Sequence, residues 1–246
     1  MTRPVWRRRT LPLLLGGVLG PILFVVVDLI GGITRPGYDP ARHFVSVLSL
    51  GPGGWVQASN FVAAGLLIAA FGVGLRQVPG DGHRWVGWLI TVEGLALVWS
   101  GLFAVDPQWG YPVWISAEAA ANPTWHDRLH IVGGITASTA LPMAIFLEAR
   151  YAARAGASAR ASYAGASATI MLGCFLVALA IGGPRGASPF SGLFQRASIV
   201  GGFQWLVLFA VGHLRLASRQ RTGAPSSATA REASTSATPR HETAAG

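Results

Sequence analysis

The feature that most constrains this chain is a series of long apolar segments separated by polar connections. Each segment has about 20 residues, the length that an α-helix needs to cross a hydrocarbon layer roughly 30 Å thick. Backbone groups in lipid must be hydrogen-bonded within their own segment, so such segments fold as helices. The segments run from Leu11 to Gly31, Trp55 to Leu75, Trp85 to Val105, Trp125 to Glu148, Tyr163 to Gly183 and Ala197 to Leu216. The sequence therefore predicts an all-α bundle of six transmembrane helices.

The composition agrees with a membrane protein. Only 12% of the residues are charged, whereas soluble domains carry about a quarter. The net charge of +9 comes from 19 basic residues, all of them arginine. Once the apolar segments are removed, no basic domain remains that could fold on nucleic acid, so we expect none as a partner. The expected partner is the lipid bilayer, and the expected location is the cell membrane, crossed several times.

The arginines are concentrated in alternate connections, which predicts the orientation. Because cytoplasmic connections are enriched in arginine, the richer side is the inside, and both termini are predicted to be cytoplasmic. The arginines placed inside are Arg3, Arg7, Arg8, Arg9, Arg76, Arg84, Arg150, Arg154, Arg160, Arg215, Arg219, Arg221, Arg231 and Arg240. Those placed outside are Arg35, Arg42, Arg128, Arg185 and Arg196.

Three regions follow from this pattern: a basic cytoplasmic N-terminus (1–10), a transmembrane domain (11–216) and a cytoplasmic tail (217–246). The first apolar segment is longer than the roughly 7–15 residues of a signal-peptide core, so we expect it to be a retained helix. The tail is rich in Ala, Ser, Thr, Arg and Pro. It has too few large apolar residues to form a core, and we predict that it is disordered.

The densest group of titratable residues opens the fourth segment. His126 and His130 are four residues apart and would share a helix face, with Asp127 beside them. The preceding connection can bring Asp106 close. His130, His126, Asp106 and Asp127 are therefore catalytic candidates, and the first three are candidate ligands of a divalent metal such as zinc. In the structural alternative, Asp127 supports the helix start and Asp106 forms a turn.

A second group of polar residues lies on the same predicted side. Arg35, Tyr38 and Asp39 fall in the first outer connection, and Asn60 near the outer end of the second helix. Glu93 lies near the middle of the third helix, where an ionisable side chain is costly and must face protein or water. These five are candidate substrate-binding residues. Alternatively, the first three fix a turn, and a neutral Glu93 hydrogen-bonds a neighbouring helix.

Several of these residues carry a resemblance to a known family. They are Arg35-Pro36-Gly37-Tyr38-Asp39-Pro40, Ser46, Leu48-Ser49-Leu50-Gly51, Asn60, Phe103 with Asp106-Pro107, and His130 at a helix start after a Trp-containing loop. On these features the chain resembles, from Leu11 to Leu216, the domain-of-unknown-function 998 family of bacterial and archaeal polytopic membrane proteins. The resemblance implies a six-helix membrane protein and supports His130 more than His126. It implies no activity.

Three functions fit the sequence. The first is a membrane enzyme acting on a lipid or lipid-linked substrate at the outer face. The second is a proton- or ion-coupled transporter using Glu93, which requires a polar path continuing inward. The third is a non-catalytic scaffold whose outer loops recognise a membrane-protein partner. No nucleotide-binding loop or serine nucleophile elbow appears, which disfavours ATP-driven transport and hydrolysis of the familiar soluble type.

The predicted orientation can be tested with reporter fusions. Fusions after Arg84 and Gly156 should report the cytoplasm, and fusions after Gly110 and Gly186 the outside, because the arginine-rich connections remain inside. Alkaline phosphatase and fluorescent-protein reporters give opposite readouts and control for expression. An inverted pattern would contradict the predicted orientation.

Overall fold

The computed structural model describes residues 10–78, 81–116, 123–182 and 188–222. The predicted basic N-terminus up to residue 9, Arg185, and the predicted tail from residue 223 lie outside the described residues. In the part that is described, the regular structure is helical, with no strand.

Among the described residues, six helices are long and apolar enough to cross a membrane, which confirms the predicted all-α, six-helix fold. They are α1 (Thr10–Thr34), α2 (Gly54–Leu75), α3 (Asp81–Leu102), α4 (Trp125–Arg154), α5 (Ser158–Ile181) and α6 (Ser191–Thr222). A short 3-10 helix, Val45–Ser49, lies between α1 and α2.

The helix ends differ from the apolar segments in an understandable way. α6 begins at Ser191 rather than Ala197 and continues to Thr222, because backbone hydrogen bonds extend a helix into polar turns that hydropathy does not mark. α3 ends at Leu102 rather than Val105. Its terminal carbonyls at Ser100 and Phe103 accept from the His130 ring, and such side-chain donors commonly complete a helix C-terminus.

Each helix packs against its neighbours in the chain, and α1 also packs against α6, so the six form a closed ring. Successive helices are antiparallel. Thr10 at the start of α1 donates to Gln77 just after α2 (3.1 Å), and Ser198 near the start of α6 donates to the Met171 carbonyl in the second half of α5 (2.6 Å). The described parts of three connections, 35–53, 103–116 with 123–124, and 182 with 188–190, therefore share one end, here called the loop end. The opposite end, here called the terminal end, carries the other connections and both described chain ends.

The interior differs between the two ends. In the half nearer the terminal end, large apolar side chains with 0% exposure fill the ring; they are Leu14, Ile68, Phe71, Leu75, Val86, Ile90, Leu141, Ile145 and Leu206. At the loop end a separate apolar cluster forms from the connections themselves; it contains Tyr38, Val47, Leu48, Val105 and Tyr111. Tyr111 is 1% exposed, although aromatic residues in such a connection are usually interfacial. The described parts of the first two connections thus form a folded cap over the loop end.

Glycines allow α2 and α3 to approach closely, as small residues do in membrane bundles. A Cβ added at Gly65 would lie 2.5 Å from the Gly94 carbonyl oxygen and 2.9 Å from the Val98 nitrogen. Both neighbours are backbone atoms, so they cannot rotate away. The α2–α3 contact therefore depends on Gly65 having no side chain.

We predict that Gly65→Ala lowers the midpoint of thermal unfolding in detergent, because overpacking of this kind costs about 1–3 kcal/mol. The matched control is Gly173→Ala in α5, where no heavy atom lies within 4 Å of the added Cβ. That variant should keep or raise the midpoint, since alanine is favoured over glycine inside a helix. Thermal unfolding is followed by circular dichroism. Equal midpoints for the two variants would contradict the close α2–α3 contact.

Candidate functional site: an interior cavity beneath the loop-end cap

The cap is held to the bundle by a buried ion pair between α1 and α6. Arg196 Nη2 donates to Asp28 Oδ1 (2.8 Å) and Arg196 Nε donates to Asp28 Oδ2 (3.1 Å). The same guanidinium donates from Nη1 to the carbonyls of Pro40 (2.6 Å) and His43 (2.9 Å). Its Nη2 also reaches the Tyr38 hydroxyl (2.5 Å). One arginine thereby ties two helices to the first connection.

Tyr38 and His43 continue this network into the cap. The Tyr38 hydroxyl donates toward the His43 and Phe44 carbonyls (3.2 and 3.1 Å). Burial raises the pKa of Tyr38 and Arg196 partly opposes this, so the hydroxyl stays protonated. His43 Nδ1 accepts from the Asp39 amide (2.9 Å), which leaves Nε2–H to donate to the Trp109 carbonyl (3.3 Å). Burial also lowers the pKa of His43, which favours this neutral ring.

Arg35, Tyr38 and Asp39, predicted to bind substrate, all stabilise the cap. Arg35 donates to the carbonyls of Leu48 (3.1 Å), Leu50 (3.4 Å) and Pro52. The exposed Asp39 accepts from the Ala41 amide (2.9 Å), as a turn-forming aspartate does. These contacts match the structural alternative for the three residues.

Asp106 and Asp127 are close together and join the second connection to the start of α4. Asp127 accepts from the Asp106 amide (3.0 Å). The Asp106 carboxylate accepts from the backbone amide of Thr124 (2.6 Å) and from its hydroxyl (2.8 Å). Thr124 is the N-cap of α4 and accepts from the Asp127 amide (3.3 Å). In this geometry both carboxylates serve the helix start.

The two histidines have different environments despite their spacing. His126 is exposed and its ring stacks on Trp125 with centroids 3.6 Å apart. His130 is 7% exposed, and its Nδ1 lies 2.8 Å from the Ser100 carbonyl and 3.0 Å from that of Phe103. Since both neighbours are acceptors, Nδ1 carries a proton and Nε2 has the lone pair of the neutral ring.

The metal ligands expected from the sequence do not share a centre. Within the four described ranges, no group of three or more His, Cys, Asp or Glu side chains is placed to hold a metal ion. His126 is exposed, His130 is buried, and the Asp106 oxygens accept from Thr124. This donor set does not fit zinc, which requires at least three protein ligands around one point.

A cavity of about 90 Å³ lies inside the ring beneath the cap, and all six helices contribute to its lining. Aromatic and aliphatic side chains form most of its wall, including Phe24, Phe61, Leu97, Phe175 and Phe203. The polar side chains that line it are Ser46, Glu93, Ser100, His130, Ser138, Gln195 and Ser198. It therefore combines apolar walls with a few polar groups, as small-molecule sites usually do.

Glu93 and Ser100 each bring to this cavity a buried polar atom without a hydrogen-bond partner. Glu93 is 2% exposed, and its Oε2 has no hydrogen-bond partner; the same holds for Ser100 Oγ. Seven residues separate them on α3, so both face the same side. Of the ion pairs among the described residues, none includes Glu93. Two buried polar groups thus remain available to a bound molecule.

Of the nine candidate site residues, the structure brings only Glu93 and His130 to the cavity. Asn60 is buried nearby, but its amide donates to the Phe24 carbonyl (3.1 Å) and joins α2 to α1. Ser100 was not predicted, although its spacing of two helical turns from Glu93 indicates that both lie on the same face of α3. Asp28 and Arg196 were also missed as a pair: a carboxylate near the end of an apolar helix required a cation, but sequence alone does not name its partner.

These features define a multi-pass membrane protein of the helical-bundle class, with a capped interior cavity. Residues 18–212 match a family model described as "Protein of unknown function (DUF998)", and the chain belongs to that family. The resemblance seen in the sequence is thereby confirmed. No curated protein and no solved structure matches the chain.

We predict that Arg196→Gln lowers stability by about 3–5 kcal/mol, because it leaves the Asp28 carboxylate buried without its cation. Asp28→Asn together with Arg196→Gln should cost less than the sum of the single changes, since the double variant buries no unpaired charge. Arg128→Gln, at an exposed position of the same end, controls for net charge. Additive effects in thermal unfolding would contradict a coupled buried pair.

Proposed function

We propose that the protein is a membrane-embedded enzyme that uses the cavity for acid–base chemistry on a lipid or lipid-linked substrate. The observation that carries this proposal is that Glu93, Ser100 and His130 line one apolar-walled cavity, with Glu93 Oε2 and Ser100 Oγ unpartnered. Burying a charged Glu93 in such surroundings without a cation would cost roughly several kcal/mol of folding free energy. The resting carboxyl is therefore neutral and can donate a proton.

The assigned roles follow from the two protonation states. Glu93 donates a proton to the leaving group of the substrate, or to an oxygen on which negative charge develops. His130 accepts one at Nε2, since its Nδ1–H is held by two carbonyls. Ser100 orients a polar head through its free hydroxyl. Acid–base groups held in place in a site that excludes water contribute about 10²- to 10⁴-fold each to the rate of proton transfer.

A membrane-borne substrate is favoured by the partial exposure of the cavity lining on two lipid-facing helices. Its half-buried lining residues are Gly134 and Ser138 on α4 and Gln195 and Ile199 on α6. Both pairs lie in the loop-end half of helices that face lipid. An amphiphile can thus enter sideways, with its chain in the bilayer and its head toward Glu93.

A through-pathway for ions is less well supported. Below Glu93, the large side chains with 0% exposure are apolar, including Phe71, Ile90, Leu141 and Leu206. The buried Glu148 lies near the end of α4 and is paired with Arg160. A proton route needs polar groups or water along its length. The cavity thus has the character of a site reached from one side.

We also propose that the loop end faces outward across the cell membrane. Among the described arginines, Arg76, Arg84, Arg150, Arg154, Arg160 and Arg215 lie toward the terminal end. At the loop end the described arginines are Arg35, Arg42, Arg128 and Arg196, and Arg196 is neutralised by Asp28. The bias supports a cytoplasmic terminal end.

The neutral Glu93 can be tested with dicyclohexylcarbodiimide, which modifies protonated carboxyl groups in apolar surroundings. We predict one adduct on Glu93, identified by peptide mass spectrometry and lost in Glu93→Gln. Glu148 is the matched control: it is 1% exposed but paired with Arg160, and it should remain unmodified. A Glu148 adduct with none on Glu93 would overturn the assignment.

The reaction itself can be tested by lipid analysis. Purified protein in liposomes of total bacterial lipid should convert at least one lipid species, followed by mass spectrometry. We predict that Glu93→Gln and His130→Gln lower the rate at least tenfold, since each removes a proton-transfer group, while Arg128→Gln keeps it. Folding is checked by thermal unfolding of each variant. Unchanged lipid composition with folded wild type, across extracts from several bacteria, would favour the scaffold.

A further inference from the structure

We infer that a groove on the lipid-facing side of α1 and α2 binds an anionic phospholipid, with the phosphate on Arg35 and an acyl chain along the groove. The groove has a volume of about 360 Å³ and lies between the loop-end halves of the two helices. It is distinct from the interior cavity, and the inference does not rest on the proposed enzyme.

The groove has apolar walls and a cationic end. Val27 and Ile30 of α1, Leu48 of the 3-10 helix and Val56 of α2 form its walls. Ile30 and Val56 are 55% and 44% exposed. On transmembrane helices such surfaces face acyl chains. The walls therefore suit a hydrocarbon chain rather than a polar peptide.

Arg35 provides the charge for a phosphate. It is the first residue after α1, at the depth where a helix leaves the hydrocarbon layer and headgroups begin. Its guanidinium has five N–H groups, and its three hydrogen bonds go to the uncharged carbonyls of Leu48, Leu50 and Pro52. No ion pair among the described residues includes Arg35. Its charge is thus uncompensated, and two N–H groups remain for an anion.

Gln57 supplies an independent second observation. It lines the same groove and is 2% exposed, yet its Nε2 has no hydrogen-bond partner. A buried amide N–H without an acceptor is costly. A phosphate or ester oxygen at this end of the groove can satisfy it, together with the free N–H groups of Arg35. The two donors suit a phosphate and the apolar walls suit an acyl chain. Together they fit a phospholipid, whereas a free ion would leave the walls unused.

The test is thermal unfolding in mild detergent with added phosphatidylglycerol, phosphatidylcholine or inorganic phosphate, with native mass spectrometry to count retained lipid. A ligand that binds only the folded protein raises the unfolding midpoint. We expect phosphatidylglycerol to raise the midpoint of the wild type by several degrees more than phosphatidylcholine does, and inorganic phosphate to have little effect. Arg35→Gln should lose this difference, and Arg128→Gln should keep it.

Because Arg35 also holds the cap, a second variant leaves it in place. Val56→Trp fills the groove from the lipid side and should lose the retained phosphatidylglycerol. Glu93→Gln should keep it, so failure of the enzyme proposal is separable from failure of this one. The inference is overturned if both lipids act equally, if inorganic phosphate reproduces the effect, or if Val56→Trp binds phosphatidylglycerol like the wild type.

Discussion

The structure of the loop end depends on one buried ion pair, Asp28 with Arg196. A carboxylate in an apolar helix is tolerated only with a partner, and the planar guanidinium satisfies both of its oxygens at once. Arg196 has further donors, and these hold the Pro40 and His43 carbonyls and the Tyr38 hydroxyl. The pair thus fixes α1 against α6, which closes the ring, and fixes the first connection above it. A lysine at this position would lack the fork that makes both contacts.

The fold could be predicted because it is determined by properties of single sequence segments. Helix number and type follow from segment length and from the requirement that lipid-embedded backbone be satisfied locally. Neither depends on which side chains meet. The predicted ends failed where tertiary contacts decide them, as at Leu102, where the His130 ring takes the last carbonyls. The cap was also not predicted. In the sequence Tyr111 resembles an interfacial residue, and only the structure shows its ring packed against Tyr38 and His43.

Two residues of the cavity were predicted from the sequence, Glu93 by a cost argument and His130 by helix spacing. Glu93 stood out because a carboxyl at that depth is expensive wherever it points, and the structure places it on the cavity. His126 and His130 were joined by helix spacing alone. Spacing gives the side of a helix but not what that side meets, and one ring stacks on Trp125 in the open while the other is buried. Asp106 and Asp127 lie close together as expected, but Thr124 and the backbone use their oxygens.

The cap and the cavity are coupled through consecutive residues of α6. Gln195 lines the cavity and its Oε1 accepts from the Val45 amide (2.8 Å), while the next residue, Arg196, holds the cap. Val45 and Ser46 begin the 3-10 helix and form part of the cavity wall. Any displacement of α6 from α1 therefore moves the wall of the cavity and the connection above it together. The ion pair consequently keeps the cavity in shape as well as closing the ring, and this is a physical reason to hold a costly charge pair inside a membrane bundle.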